Sequence, residues 1–289
     1  MTTDTNLAAR FAEIRAVIYK THPLIHCLTH PITINDSANL VLAVGASPNM
    51  APHPDEVEEA VKKARVLTVN LGNLTAERLT AMERGGRAAS EAGIPLLLDA
   101  TGAAFSTLRL HFSQHFIQDF CPCIVKGNAS EIRALCGKTS HGVGVDVGAE
   151  DRIGEEDLAR AAKTLLPFAE KWQTTILMTG KVDCIVGSEK IVFVHNGTPV
   201  LSRLTGTGCM LGALTGVYLA AAKPWEAAAL AAVIMGLAGE KAAKIAYRPG
   251  LPPQQSWAMG TFHTALMDAL STLTDTDIQE GMKVTFLEK

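Results

Sequence analysis

At positions 205–210 the chain reads Thr205-Gly206-Thr207-Gly208-Cys209-Met210, and the apolar run Leu211–Ala222, which predicts a buried helix, follows directly. Backbone N–H groups at the start of a helix have no intrahelical acceptor, and the helix dipole adds partial positive charge there. Such a junction binds anions, most often phosphate, and glycine lets the anion approach the backbone closely. The segment therefore predicts an anion hole with a thiol beside it. Its members are Gly206, Thr207, Gly208 and Cys209.

The thiol at position 209 has a functional and a structural interpretation. In the first turn of a helix the thiolate is favoured by the helix dipole, which suits proton transfer or nucleophilic attack. The structural alternative is a tight turn followed by a buried cysteine that acts as a small hydrophobic residue. Neither a P-loop motif nor the Rossmann glycine pattern occurs in the chain. The predicted anion site is therefore of a different kind from either.

Short apolar segments of β type alternate with amphipathic helices along the chain. Thr75 and Gly93 have the residue types of an N-cap and of a helix stop, and they predict a helix over Ala76–Ala92. After Cys209 the chain is predicted to be almost entirely helical. This alternation indicates βαβ units and a mostly parallel sheet. The predicted strands are Val66–Gly72, Pro95–Asp99, Cys123–Lys126 and Thr174–Thr179, followed by a hairpin of Asp183–Val186 and Ile191–His195.

Four of the predicted strands end in polar residues or glycine. Ligands of open α/β sheets bind beyond the carboxyl ends of the strands. We therefore expect these ends to converge on one crevice together with residues 206–209. Turns favour Gly, Asn and Asp in any case, so each end taken alone is also typical of an ordinary turn. The four ends are Asn70–Asn73, Asp99–Gly102, Lys126–Asn128 and Thr179–Lys181.

The segment Asn128–Glu131 has two compatible interpretations. Asn followed three positions later by Glu is the pattern of a capping box at a helix start. The same carboxylate beside a phosphate site would help to organise Mg²⁺, which takes few direct carboxylates and keeps several waters. Asp99 is the natural second carboxylate, because it stands at the end of a predicted strand. Asp99 and Glu131 are therefore the predicted Mg²⁺ positions.

Lys126 and Thr179 are the predicted contacts of a nucleotide phosphate. Each has an ordinary alternative, because Lys126 could be a solvated lysine at a strand end and Thr179 could close a turn. No pattern in the sequence places a histidine beside Cys209, so a thiol hydrolase is disfavoured. Prolines interrupt any regular ligand spacing among the histidines of the N-terminal region, which are interpreted as hydrogen-bonding or surface residues. They are His22, His26, His30 and His53.

The composition favours a large α/β core and excludes several classes of function. The 289 residues are 47% hydrophobic and only 5% aromatic, which suits helices packed on a parallel sheet. The net charge of -3 and the lack of a basic patch with interleaved aromatic residues argue against nucleic-acid binding. The longest apolar stretch, Ala227–Ala238, is shorter than the ~20 residues of a membrane span. With no visible secretory signal and 6 scattered cysteines, we expect reduced thiols and a cytoplasmic protein.

Together these motifs resemble those of the hydroxyethylthiazole kinases, a family within the ribokinase-like superfamily. The resemblance extends over nearly the whole chain, and the combination in this order is more specific than any single motif. The cysteine at position 209 discriminates best, because most ribokinase-like enzymes have Asp there. The motifs are His22–His26, Gly45–Met50, Asn70–Leu74, Lys126–Glu131, Gly144–Asp146, Met178–Gly180 and Thr205–Cys209.

The resemblance implies one ribokinase-like domain over residues 1–289, an α/β fold whose mostly parallel central sheet has helices on both faces. It implies ATP-dependent phosphorylation of 4-methyl-5-(2-hydroxyethyl)thiazole in thiamine biosynthesis or salvage, with Mg²⁺ as cofactor. It also implies a homotrimer with thiazole sites between subunits. By position, the implied contacts are Met50 and Gly206 for the substrate alcohol, Lys126 and Thr179 for ATP, Asp99 and Glu131 for Mg²⁺ and phosphate, and Cys209 for the reacting hydroxyl.

The sequence departs from the family pattern in several places. Lys126 stands where Arg is usual. The planar guanidinium, which can donate two parallel hydrogen bonds to a phosphate, is thereby replaced by a compact ammonium group. Two further hypotheses stay open: another ribokinase-like enzyme, such as a hydroxymethylpyrimidine kinase or an ADP-forming hydrate dehydratase, and a non-catalytic nucleotide sensor. The other departures are Leu28-Thr29-His30 for Ile-Thr-Asn, Asp99-Ala100-Thr101-Gly102 for Asp-Pro-Val-Gly, and a stretch ending in Gly260-Thr261-Phe262 for Gly-Pro-Gly-Ser-Phe.

Overall fold

A computed structural model describes residues 5–140, 154 and 157–287, and the Gly144–Asp146 motif lies outside them. Strands and helices alternate up to residue 135, and helices predominate after residue 206. The strands are β1 Leu24–Leu28, β2 Ser47–Asn49, β3 Val66–Asn70, β4 Leu96–Asp99, β5 Ile124–Asn128, β6 Thr175–Thr179, β7 Asp183–Val186, β8 Ile191–Val194 and β9 Val284–Leu287. The helices are α1 Thr5–Thr21, α2 Ile34–Ala43, α3 Val57–Lys63, α4 Ala76–Ala92, α5 Thr107–Phe120, α6 Ala129–Leu135, α7 Leu158–Trp172, α8 Thr207–Leu219, α9 Pro224–Ala246, α10 Met259–Thr272 and α11 Asp275–Gly281.

The strands form one sheet in the order β2-β1-β3-β4-β5-β6-β7-β8-β9. The pairs from β2 through β6 are parallel, and the pairs from β6 through β9 are antiparallel. In register, Asn70 lies opposite Asp99, and Asp99 lies opposite Lys126. Because parallel neighbours end at the same edge of the sheet, the polar ends of β3, β4 and β5 lie side by side there.

Helices cover both faces of the sheet. Successive residues of a strand point to opposite faces, so a strand buried on both sides is apolar throughout. In β4, Leu97 packs into the core beneath α1, α2, α8, α9 and α10, whereas Leu96 and Leu98 pack into the core beneath α3 to α7. The predicted α/β fold, with a mostly parallel sheet between two layers of helices, is confirmed.

The two most apolar helices, α8 and α9, pack against each other on one face of the sheet. Nearly every residue of α8 after its first turn is buried, as expected for a helix that is apolar on all sides. Among the described residues, no helix combines the length and the apolar character that crossing a bilayer requires.

Caps fix the ends of the best predicted helices. At the start of α4, the Arg78 amide donates to Thr75 Oγ1 at 3.2 Å, and after its end Gly93 adopts a φ of 65°. The predicted capping box of Asn128 and Glu131 is present at the start of α6. α8 begins at Thr207, before the predicted apolar run, so its first turn contains Cys209.

The prediction that the chain is almost entirely helical after Cys209 is wrong for residues 247–258, which form no helix, and again near the end of the described residues. β9 pairs antiparallel with β8 and adds a strand to the sheet. Its residues are β-branched or aromatic in part, but four residues are too few for a recognisable alternation. The same reason explains why β2, with three residues, is missing from the predicted strands.

Candidate functional site

The start of α8 is open to solvent. Gly206 is the N-cap, with a φ of 87°, and no side chain caps the helix. Two features require glycine at this position. A Cβ would lie 2.4 Å from Cγ2 of Thr33, and the backbone is in the left-handed region. Thr205 and Gly208 are exposed. The amides of residues 207–209, which lack intrahelical acceptors, can therefore receive an anion from outside.

Two contacts fix the position of this helix start. The Thr207 hydroxyl donates to the carbonyl oxygens of Leu201 at 3.1 Å and Leu204 at 3.3 Å, so its amide is the donor that Thr207 has left for an anion. One turn later, a Cβ on Gly212 would come within 2.9 Å of Asp99 Oδ2. Glycine at 212 therefore lets α8 lie directly against the carboxyl end of β4.

Asp99 and Lys126 form a buried ion pair behind the open amides. The two residues are 1% and 4% exposed, and Lys126 Nζ donates to Asp99 Oδ2 at 2.9 Å. Burial disfavours the ammonium, but the charge and hydrogen bond of Asp99, together with Cys209 and Glu131, outweigh burial and raise the pKa of Lys126. Nζ lies 4.0 Å from where a Cβ on Gly208 would be. Lys126 is thus a buried cation beside the predicted anion hole, and the interpretation as a solvated lysine does not apply.

Glu131 lies buried in the first turn of α6 and accepts two backbone hydrogen bonds. Oε1 accepts from the Gly102 amide at 2.7 Å, and Oε2 accepts from the Asn128 amide at 2.7 Å. Burial and the nearby charge of Asp99 raise the pKa of Glu131 to about 7. Two buried carboxylates thus share one ammonium, that of Lys126.

This donor set fits a cation that takes most of its ligands from elsewhere. Among the described residues, no group of three His, Cys, Asp or Glu side chains could hold a metal by itself. Mg²⁺ typically binds through one or two carboxylates, substrate phosphates and several waters. Asp99 and Glu131 are two hard carboxylate ligands at the same edge of the sheet, so the residues fit Mg²⁺ in the company of phosphate.

The Cys209 thiol lies among polar groups at the carboxyl ends of β1, β3 and β4. Sγ is 3.3 Å from Nε2 of His30 and 3.9 Å from Oγ1 of Thr101. Burial and the charge of Asp99 raise the pKa of Cys209 to about 11. The sequence predicts that the start of α8 lowers this pKa and that an adjacent phosphate opposes it, and leaves the net direction open. In the structure, burial and the charge of Asp99 outweigh the opposing charge of Lys126.

No pattern in the sequence places a histidine beside Cys209, but in the structure His30 lies there. His30 follows β1, and the rule that ligands lie beyond strand ends would have pointed to it had β1 been recognised as a strand. Burial and the charge of Arg78 lower the pKa of His30. A neutral thiol beside a neutral imidazole is the opposite of the thiolate–imidazolium pair of cysteine hydrolases. A thiol hydrolase therefore stays disfavoured, for an electrostatic reason.

Comparisons with known proteins agree in pointing to one family. A sequence profile described as the hydroxyethylthiazole kinase family matches residues 16–276. The chain is 37% identical over 272 residues to hydroxyethylthiazole kinase 2 of Clostridium botulinum, an alignment that covers 94% of this chain and 98% of that protein. The chain belongs to the hydroxyethylthiazole kinase family.

Solved structures support the same assignment. A hydroxyethylthiazole kinase protein from Pyrococcus horikoshii is 32% identical, with a TM-score of 0.83, and the match covers 97% of this chain and 100% of that one. A ribokinase-like superfamily protein from Enterococcus faecalis matches with a TM-score of 0.56 at 16% identity, over 86% of this chain and 85% of that one, and shares the fold alone. The predicted family and the ribokinase-like fold are confirmed, and the chain is a kinase.

Met50 and Thr179 lie on opposite sides of the α8 start in this kinase. Met50 follows β2, the first strand in the sheet order, and packs partly buried against the core. Thr179 ends β6, opposite Asn128 in register, and its hydroxyl donates to the Gly127 carbonyl at 3.5 Å. The sheet order thus separates these two predicted ligand contacts, with the cluster around Cys209 between them.

A larger cavity lies on the other face of the sheet, among α5, α6 and α7. Its walls include Ile117, Leu135, Phe168 and Trp172, and none of the predicted site residues lines it. A narrower cavity beneath Cys209 is lined by Thr29, Asn70, Asp99 and other residues of the strand ends. Asp99 of the ion pair lines the narrower cavity of this kinase, so cavity size does not identify the candidate site, whereas buried charge does.

Proposed function

We propose that the chain transfers the γ-phosphoryl group of ATP to the primary alcohol of 4-methyl-5-(2-hydroxyethyl)thiazole, in thiamine biosynthesis or salvage. The observation that carries the proposal is the uncapped start of α8 with the Cys209 thiol beside it. The open amides offer an anion site for a transferring phosphoryl group. The thiol stands where it could meet the hydroxyl that attacks this group. Family membership supplies the alcohol.

Phosphoryl transfer depends mainly on positioning and on stabilisation of charge. The amides of residues 207–209 would hold the transferring group, and Gly206 would lie against the alcohol. Lys126 would add a positive charge that water screens only weakly, because its ammonium is buried. Thr179 would contact ATP from the side of β6, and Met50 would contact the thiazole from the side of β2. The two substrates would thus approach Cys209 from opposite sides.

Asp99 and Glu131 would hold Mg²⁺ together with the phosphates of ATP. When bound there, Mg²⁺ would neutralise phosphate charge. Burial and, after it, the charge of Asp99 raise the pKa of Glu131, and a bound cation would favour the charged form of this carboxyl group. Each carboxylate oxygen already accepts one hydrogen bond but retains a further lone pair for a cation or its water.

Cys209 would orient the alcohol and take part in moving its proton. With its pKa raised to about 11, the side chain is a protonated thiol at neutral pH. A thiol can accept a hydrogen bond from the alcohol, but it can accept the proton itself only when its own proton has a destination. We further propose a cytoplasmic homotrimer of single-domain subunits, residues 1–289. Met50 follows β2, which lies two strands from β3, about 10 Å away, so a thiazole in contact with Met50 would be bound partly by a neighbouring subunit.

The proposal is tested by assaying the purified chain with ATP, Mg²⁺ and a panel of primary alcohols. The panel contains hydroxyethylthiazole, hydroxymethylpyrimidine and pyridoxal, and mass spectrometry of the phosphorylated product is combined with an ADP-release assay. We expect hydroxyethylthiazole phosphate and ADP in equal amounts, with the highest kcat/KM for the thiazole. Phosphorylation of the pyrimidine alone would favour another ribokinase-like kinase. ATP binding in a calorimeter without turnover of any alcohol would favour a nucleotide sensor.

A further inference from the structure

The imidazole of His30 is held against the thiol of Cys209. His30 is 5% exposed, and its Nε2 lies 3.3 Å from Sγ and 3.4 Å from Oγ1 of Thr33. On another side, a Cβ at position 72 would come within 2.2 Å of the ring, so Gly72 is the residue that leaves room for it. The ring is thus confined between the β1–α2 loop, the β3–α4 loop and the first turn of α8.

Charged groups from three neighbouring elements face this imidazole. Arg78 of α4 and Arg109 of α5 disfavour its protonated form, and Asp99 of β4 favours it. Arg78 itself is fixed, because it donates to the carbonyl oxygens of Gly72 at 2.7 Å and Asn70 at 3.0 Å. With burial added, the pKa of His30 is lowered. The ring is therefore neutral at pH 7, and one of its nitrogens is an acceptor.

We infer that His30 is a positioning residue for the phosphoryl transfer and acts through Cys209. Nε2 accepts the hydrogen bond of the thiol, which leaves the sulfur lone pairs free for the substrate hydroxyl. The inference rests on the proposed function, because that hydroxyl belongs to the alcohol substrate. The matching tautomer carries its hydrogen on Nδ1, which is buried and meets no acceptor in the described part of the chain. Buried polar atoms without a partner are uncommon, and in the described residues the others belong to His26, Ser37 and Trp225.

The proton then has a complete route in the transfer step. The alcohol oxygen forms a bond to the γ-phosphorus, while the bond from that phosphorus to the β–γ bridging oxygen breaks and its electron pair leaves with ADP. The hydroxyl proton passes to the sulfur, and the thiol proton passes to Nε2 of His30. The imidazolium formed in this way gives its proton to solvent before the next turnover. Sulfur is a thiol before and after the step, so its raised pKa is no obstacle.

A double-mutant cycle tests the route. kcat and both KM values are measured for the wild type, His30→Gln, Cys209→Ala and the double variant, with exposed His111→Gln as a control. Gln accepts a hydrogen bond but cannot take a proton, so we expect kcat to fall by roughly 10-fold to 100-fold in His30→Gln, with the KM for ATP within about 2-fold. In the Cys209→Ala background the same substitution is expected to cause no further loss.

Two kinetic outcomes overturn the inference. An equal loss of kcat in both backgrounds means that His30 matters without the sulfur, as a merely structural residue would. An unchanged kcat in His30→Gln means that it does not matter to the transfer. His30→Asn, whose side chain is smaller than imidazole, serves in the same cycle where His30→Gln fails to fold.

Alkylation of Cys209 by iodoacetamide tests the contact without any substrate. The rate at neutral pH is followed by mass spectrometry of the peptide that contains Cys209, because other cysteines also react. We expect a severalfold slower rate in both His30 variants, because the thiol loses the acceptor of its proton. An equal or faster rate overturns the inference. Should the wild type phosphorylate no thiazole alcohol, the proposed function fails, whereas the alkylation rates still decide whether His30 acts on Cys209.

Discussion

Helices α6 and α8 start at the same edge of the sheet and treat their free amides in opposite ways. At α6, the Asn128 side chain accepts from the Glu131 amide at 3.0 Å, and the Glu131 carboxylate accepts from the Asn128 amide at 2.7 Å. At α8, Gly206 is the N-cap and no side chain accepts from the first turn. A capped start has little to offer an external anion, whereas an uncapped start has unpaired donors.

The charged side chains beside the two helix starts also favour anion binding at α8 and disfavour it at α6. A phosphate approaching α6 would meet the carboxylate of Glu131, but one approaching α8 would have the ammonium of Lys126 close to Gly208. The dipole is the same at both ends, so the local side chains decide which start is suited to phosphate. The comparison teaches that a helix start becomes a candidate ligand site where the chain leaves it uncapped and puts a cation behind it.

Removing the thiol from the open start is expected to have the largest effect. Cys209→Ala deletes the group that meets the alcohol, so we expect kcat to fall by roughly 10²–10⁴, the usual contribution of positioned proton transfer. The KM for ATP is expected to stay nearly constant, because the amides and Lys126 remain. Steady-state kinetics measures both quantities. Cys136→Ala, at the C-terminal end of α6, is the matched control, and an equal kcat in the two variants would remove Cys209 from the chemistry.

Removing the ammonium of Lys126 tests whether a nearby cation makes the start of α8 a phosphate site. Lys126→Met leaves Asp99 buried without its partner, which is expected to lower the free energy of unfolding by about 3–5 kcal/mol. Urea denaturation measures this loss, and the double variant with Asp99→Asn is expected to recover part of it. Where Lys126→Met still folds, the KM for ATP is expected to rise more than the KM for the alcohol. Equal changes in the two KM values would contradict the assignment of Lys126 to the nucleotide.

Much of this edge of the sheet could be predicted from local patterns. The helix α4 is bounded by a cap and a left-handed glycine, and β3 to β6 are apolar runs that end in polar residues. Because parallel strands end at one edge, the proximity of Asn70, Asp99 and Lys126 follows from the strand assignments. The capping box of α6 and the open start of α8 are likewise local features.

The electrostatics of Cys209 could not be predicted in this way. β1 contains His26 and Cys27 and lacks the uninterrupted apolar run of its neighbours, so the residue that follows it, His30, was not placed at the site. The pKa of Cys209 depends on burial and on Asp99, which is distant in the sequence. A helix start can be inferred from a local pattern, but the desolvation of Cys209 depends on tertiary packing, which a local pattern does not show.

The buried carboxylate of the capped start predicts a pH dependence of stability. The pKa of Glu131 is raised to about 7 in the folded chain, from 4.5. Between these values the folded state holds a proton that the unfolded state has released, so the free energy of unfolding falls as the pH rises through this interval. The loss is expected to be about 3 kcal/mol. Denaturation of the wild type and Glu131→Gln between about pH 5 and 8 measures it, and parallel curves for the two proteins would contradict it.

The smallest effect is expected when a side chain is added at the start of α8. It is a loss in the free energy of unfolding. Gly206→Ala meets Cγ2 of Thr33 at 2.4 Å in a backbone with a φ of 87°, whereas Gly93→Ala, with a φ of 65°, meets open space. Both variants are expected to lose about 1–3 kcal/mol through the left-handed conformation, measured by urea denaturation. Only Gly206→Ala also displaces the amides of residues 207–209, so only it is expected to raise both KM values. If Gly206→Ala kept both KM values of the wild type, substrate binding would not depend on the position of these amides. The proposed phosphate site at the start of α8 would then be contradicted.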